Sequence, residues 1–101
     1  MTNNIDCEKA KEMIKKILDL CQSYLTQDTI DAVMHYVNHD EYEMAAEGLF
    51  IDIMKLDIVP PNLSKSMCFN LVTSLELDKE VVFEPDFWLK FTEFCNNRLP
   101  D

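Results

Sequence analysis

Apolar positions recur along this chain with helical rather than strand periodicity. Ile14, Ile17, Leu18, Cys21 and Leu25 share one stripe of a 3.6-residue wheel, and Lys9, Lys11, Glu12, Lys15 and Lys16 share the other face. The spacing predicts a first helix over about 5–25, in which Glu12 stands four residues before Lys16, the favourable order for a helical ion pair. Thr26-Gln27-Asp28-Thr29 is rich in capping residues and predicts a second helix with Ile30, Val33, Met34 and Val37 inward. Asn38-His39-Asp40 interrupts the pattern. Asp40 precedes Glu43 by three, so D-E-Y-E reads as a capping box opening a third helix over about 41–56.

In that third segment Tyr42, Ala45, Ala46, Leu49, Ile53 and Leu56 lie on one side, with Met44 and Ile51 roughly opposite. A helix apolar beyond a single stripe belongs at the centre of a domain, covered on more than one face. Gly48 in its interior costs about 1 kcal/mol relative to alanine, which predicts a close helix–helix approach there. Val59-Pro60-Pro61-Asn62 ends the segment. Ser64 or Asn62 then caps a fourth helix to about Leu77, with Met67, Cys68, Leu71, Val72 and Leu75 inward. Val81-Val82-Phe83 is β-branched and short, suited to an extended stretch or one helical turn. Pro85 is placed to be the first residue of a last helix that buries Phe87, Trp88, Phe91, Phe94 and Cys95 and frays at Asn96-Asn97.

Composition agrees with this reading. One glycine and four prolines in 101 residues cannot supply the turns that sandwiches and barrels need every ~8–12 residues. The expected fold is all-α, a compact bundle of about five helices around a central third helix, in one domain spanning 1–101. At 48% hydrophobic residues the chain carries enough material for a core of its own. Cys7, Cys21, Cys68 and Cys95 show no CxxC spacing, and the start, MTNNIDCEKAKE, is polar and charged rather than a signal peptide. The cysteines are therefore expected reduced and mostly buried, in a cytoplasmic chain. No apolar run approaches the ~20 residues of a membrane span.

Charge narrows the possible partners. Nineteen acidic residues against nine basic ones give a net charge of -10. Such a surface repels phosphates and anionic membranes, and attracts basic proteins with electrostatically steered association. From Ile17 to Ser64 nine acids stand against Lys55 alone. Helix-start chemistry accounts for Asp40, Glu41 and part of Glu43, but not for Glu47 or Asp52. Glu43 and Glu47 also repel at i,i+4, by ~0.2–0.5 kcal/mol on an isolated helix. The expected binding residues are Asp31, His35, Tyr36, Asp40, Glu41, Glu43, Glu47 and Asp52. Tyr36 and Tyr42 beside these acids suit aromatic anchors, although Tyr42 falls on the predicted core face.

Catalytic chemistry finds little to work with. His35 and His39 have i,i+4 metal-ligand spacing, but Tyr36 stands where a metalloprotease needs glutamate, and no third ligand follows at a diagnostic spacing. A helix C-terminus explains His39 through the dipole. One glycine cannot build a nucleophile elbow or a phosphate loop, and no serine follows aspartate as an acyl carrier would require. The expectation is a non-enzyme with no metal and no cofactor.

The segment from Ile30 to Leu56 resembles a known family on His39, Asp40, Glu41, Tyr42, Glu43, Ala45, Ala46, Glu47 and Leu49. It is similar to small helical immunity proteins of bacterial polymorphic toxin systems, of the Maf and contact-dependent growth inhibition types. In those, a short helix leads through a turn of this character into a helix with small residues, glutamate and an apolar run. The likeness covers about a quarter of the chain. It implies a protein that binds a cognate basic toxin domain, often a nuclease, one to one, as a monomer or weak homodimer. The competing expectation is an acidic DNA mimic or regulatory module acting on a host nucleic-acid-binding protein.

Overall fold

In a computed structural model, which describes residues 7–101, the chain forms five α-helices and, among the described residues, no strand. They are α1 (Cys7–Cys21), α2 (Gln27–Asn38), α3 (Tyr42–Met54), α4 (Lys65–Ser74) and α5 (Phe87–Arg98). A single 3₁₀ turn, Gln22–Tyr24, follows α1, so the first helix ends four residues before Leu25. The start expected near Ile5 lies outside the described residues.

Local chemistry sets most of the boundaries. The Thr26 hydroxyl accepts from the Thr29 amide at 3.2 Å, and the Ser64 hydroxyl accepts from Met67 at 3.2 Å, so both predicted caps open their helices. Asn62 does not cap. It sits at φ 70° in the turn after Pro61, a conformation asparagine tolerates.

The α2–α3 turn is built differently from the expected capping box. Glu41 is the N-cap of α3 and makes no side-chain cap bond. Instead Asp40 closes the end of α2 at φ 59°. Its amide donates to the Val37 carbonyl, and the next amide, of Glu41, donates back to Tyr36 at 2.9 Å. That pair of bonds is a Schellman motif, with aspartate where glycine is usual. The Asp40 carboxylate accepts the Tyr42 hydroxyl at 3.0 Å, which ties the turn to α3. The end of α4 repeats the device: Glu76 sits at φ 58°, Glu76 N donates to Thr73 and Leu77 N donates to Val72.

Helix α3 is the hub, touching α1, α2, α4 and α5, whereas α2 packs mainly on α3. Ala45, Ala46, Leu49, Phe50 and Ile53 are wholly buried. An aromatic cluster joins α3, α4 and α5 around Phe91, which meets Phe50 and Phe69 edge-on and stacks with Phe87 and Trp88. Such pairs add about 0.5–1.5 kcal/mol each beyond area burial.

Three further expectations are corrected. A Cβ on Gly48 meets nothing within 4 Å, so no close helix approach explains it and nothing in the structure requires glycine there. Pro85 precedes the N-cap, Asp86, and stands in a turn rather than in the first helical turn. Helix α5 runs on through Asn96 and Asn97 to Arg98. Its end is held because Arg98 donates to the Leu56 and Asp57 carbonyls at 2.7 and 3.0 Å and lies 5.4 Å over the Phe94 ring. Leu99 is buried just beyond, and the Lys65 amide donates to Pro100 at 2.7 Å.

Candidate functional site

Helices α2 and α3 form an antiparallel hairpin about 18 Å long, from the 12 residues of α2 at ~1.5 Å each. At its open end the Thr29 hydroxyl donates to Asp52 at 2.6 Å, and Lys55 sits 3.8 Å from the same carboxylate. At its closed end stand Asp40, Glu41 and Glu43. The expected binding residues thus run along the hairpin rather than gathering at one point.

They also differ in exposure. Asp31, His35, Asp40 and Glu43 are exposed, and Tyr36, Glu41 and Asp52 are half-buried. Asp31 accepts a hydrogen bond from Gln27 at 2.9 Å. The His35 and His39 rings lie 4.4 Å apart, and His39 Nδ1 meets the His35 carbonyl at 2.8 Å, so that nitrogen donates. Among the described residues no group of three or more histidine, cysteine or acidic side chains could hold a metal ion.

Glu47 departs entirely from the expected surface. It is the one buried charged residue among those described, at 0% exposure. Its Oε1 accepts from the Val82 and Phe83 amides at 2.8 and 3.2 Å, and its Oε2 accepts from Phe83 and Glu84 at 3.0 and 2.8 Å. Three consecutive backbone donors in a segment with no helix or strand would otherwise lack partners. One carboxylate satisfies them all, so Glu47 serves the interior and is withdrawn from any contact surface.

That clamp defines what the 81–84 segment displays. Val82 is 63% exposed and Phe83 44% exposed, and the Phe83 ring lies 6.0 Å from Tyr36 on α2. Charge and periodicity did not single out Val82 and Phe83. The only signal was a run of large apolar residues, V-V-F, between acidic neighbours where no helical stripe continues. Tyr42 lies in the core with its phenol bonded to Asp40, and that bond holds its pKa above the ordinary tyrosine value.

A groove of about 410 Å³ lies between α3 and α5, with Ile51, Met54 and Phe94 among its apolar walls and Glu84 at its border. Lys55, Lys90 and Arg98 border it, and each is already engaged: Lys55 with Asp52, Lys90 with Glu84 at 3.2 Å, Arg98 with two carbonyls. Backbone donation from Asp86, followed by Lys90, holds the Glu84 carboxyl below the usual range. No cysteine pairs with another. Burial pushes the Cys21 and Cys95 thiols up to about 11, and Cys68 higher still, while Cys7 is exposed. Protonated, enclosed thiols are poor nucleophiles.

Among the described residues no helix is long and apolar enough to cross a membrane. Comparison with protein-family models, with curated proteins and with solved structures gives no match.

Proposed function

We propose that this chain is an immunity protein: a non-enzymatic binder that neutralises a cognate basic toxin domain, a nuclease in the simplest case. The observation that carries the reading is the α2–α3 hairpin. Asp28, Asp31, Asp40 and Glu43 are exposed along it, and no lysine or arginine occurs between Lys16 and Lys55. Nucleases hold phosphates with lysine and arginine, so an acidic hairpin with no lysine or arginine inside either helix matches the charge of such a cleft and speeds capture. The resemblance around His39–Leu49 supports the same assignment.

Co-expression with the product of the adjacent reading frame, as the candidate toxin, tests it. The expected result is a one-to-one complex and restored growth. Asp31→Lys with Glu43→Lys should slow association at low salt about tenfold, in line with the weight of steering in such pairs. Failure of the wild-type chain to bind or protect defeats the assignment. Recovery of a host DNA-binding protein in its place favours the DNA-mimic reading.

A further inference from the structure

We infer that Val82 and Phe83, with Tyr36 beside them, form the apolar anchor by which this chain docks onto an arginine-bearing, cationic protein surface. The inference rests on the functional reading above and names the part of the surface that holds the partner once captured.

A loop that only connected α4 to α5 would gain by turning its large side chains inward. Here the backbone faces inward and the side chains face out. The amides of residues 82, 83 and 84 are committed to the buried Glu47 carboxylate at 2.8–3.2 Å, and this orientation leaves Val82 and Phe83 in water. Apolar area left in water forgoes roughly 25 cal/mol per Å² of burial. The arrangement is also pre-ordered, because a loop held by several bonds to one internal group loses little conformational freedom on binding.

The surroundings specify the occupant. The Tyr36 ring adjoins Phe83, and Tyr36 stands in the last turn of α2, whose closing bond from the Glu41 amide to the Tyr36 carbonyl leads into the acidic α2–α3 turn. Glu43 lies one turn before Glu47 on α3, and Glu80 is exposed at the near end of the loop. The neighbouring cations are neutralised, Lys79 by Glu76 at 4.0 Å and Lys90 by Glu84 at 3.2 Å. An aromatic pair flanked by carboxylates suits guanidinium groups, which stack on ring faces and pair with carboxylates in the same contact. A second copy of this chain, at net charge -10, would bring acids against acids. The fitting partner is therefore a different, basic protein with an apolar recess to receive Phe83. Ile58, exposed beside Asp57, whose carbonyl holds Arg98 at the far end of α5, lies outside this arrangement and serves as the control.

The test uses the full chain and the same product of the adjacent reading frame, with binding kinetics followed at two salt concentrations. Val82→Ser with Phe83→Ser should raise the dissociation rate roughly 30-fold or more, as expected of a central anchor, with association within about twofold of wild type. Ile58→Ser should change neither rate. A photo-reactive benzoylphenylalanine placed at position 83 should cross-link to the partner, and one placed at position 58 should not; this readout stands even if the double serine variant unfolds. An unchanged dissociation rate in a folded double variant, or cross-linking from position 58 alone, overturns the anchor and leaves the immunity reading standing. If the wild-type chain forms no complex, the immunity reading falls and the anchor falls with it.

Discussion

Glu43 and Glu47 stand one helical turn apart on α3, and they belong to two different regions of the molecule. Glu43 lies in the first turn, exposed, beside an acidic hairpin face that no lysine or arginine interrupts between Lys16 and Lys55. Glu47 is wholly enclosed and spends its charge on the amides of residues 82–84. The same side chain thus serves long-range attraction in one region and local architecture in the other. What separates them is what each carboxylate faces: water and the positive end of a helix dipole for Glu43, three backbone donors for Glu47. The i,i+4 repulsion expected between them is lessened, since the Glu47 charge is held by its own hydrogen bonds.

The largest expected effect comes from removing that internal charge. Glu47→Ala leaves three amides without their acceptor and empties a wholly buried site, and should destabilise the fold by about 3 kcal/mol. Glu43→Ala should change stability by no more than about 0.5 kcal/mol, the scale of a surface dipole contact. Urea unfolding of both variants decides the matter. A loss below about 1 kcal/mol for Glu47→Ala would mean that water replaces the carboxylate at the loop. Glu47→Gln keeps the volume and one acceptor oxygen, so it should recover part of the loss.

Periodicity made the helices and the hub position of α3 legible, because a buried helix repeats its apolar residues whatever the tertiary detail. The turn between α2 and α3 was legible only as a break. D-E-Y-E carries the letters of an N-cap box, whereas the backbone uses Asp40 as the left-handed closing residue of α2. A left-handed aspartate has no sequence mark that distinguishes it from a capping one. Glu47 was misplaced because charge is read as surface. Its position did carry a signal: it is the only charged residue in Met44–Ile51, within a helix apolar on most sides. A carboxylate so placed must find internal donors, but which donors they are depends on a loop 35 residues away. The anchor at Val82 and Phe83 was illegible for the same reason, since their exposure follows from that long-range bond.

The second prediction sharpens the contrast on α3 itself. Gly48 follows Glu47 directly, and a demand for close approach by a neighbouring element would make alanine clash. The open space around its Cβ position says otherwise. Gly48→Ala should therefore raise stability by about 1 kcal/mol, through helix propensity and a less flexible unfolded chain. Thermal or urea unfolding measures it. Destabilisation would show that the clamp on residues 82–84 needs a flexibility in α3 that only glycine supplies.

The smallest effect separates the two uses of carboxylate by pH. Glu84 gives its amide to Glu47, and its own carboxyl accepts from the Asp86 amide and pairs with Lys90. Those partners lower its pKa in the folded chain. A carboxyl whose folded value is depressed contributes stability above its unfolded value, near ~4.3, and loses it as pH falls through the folded value. Glu84→Gln should accordingly be slightly less stable than wild type at neutral pH, and the gap should close as the solution is acidified below about pH 4. Unfolding curves of wild type and Glu84→Gln collected from pH 7 down to about pH 3 read it. A gap at Glu84 that persists at the acid end would place its contribution in packing at the start of α5, and the charge partnership with Lys90 would then carry none of it.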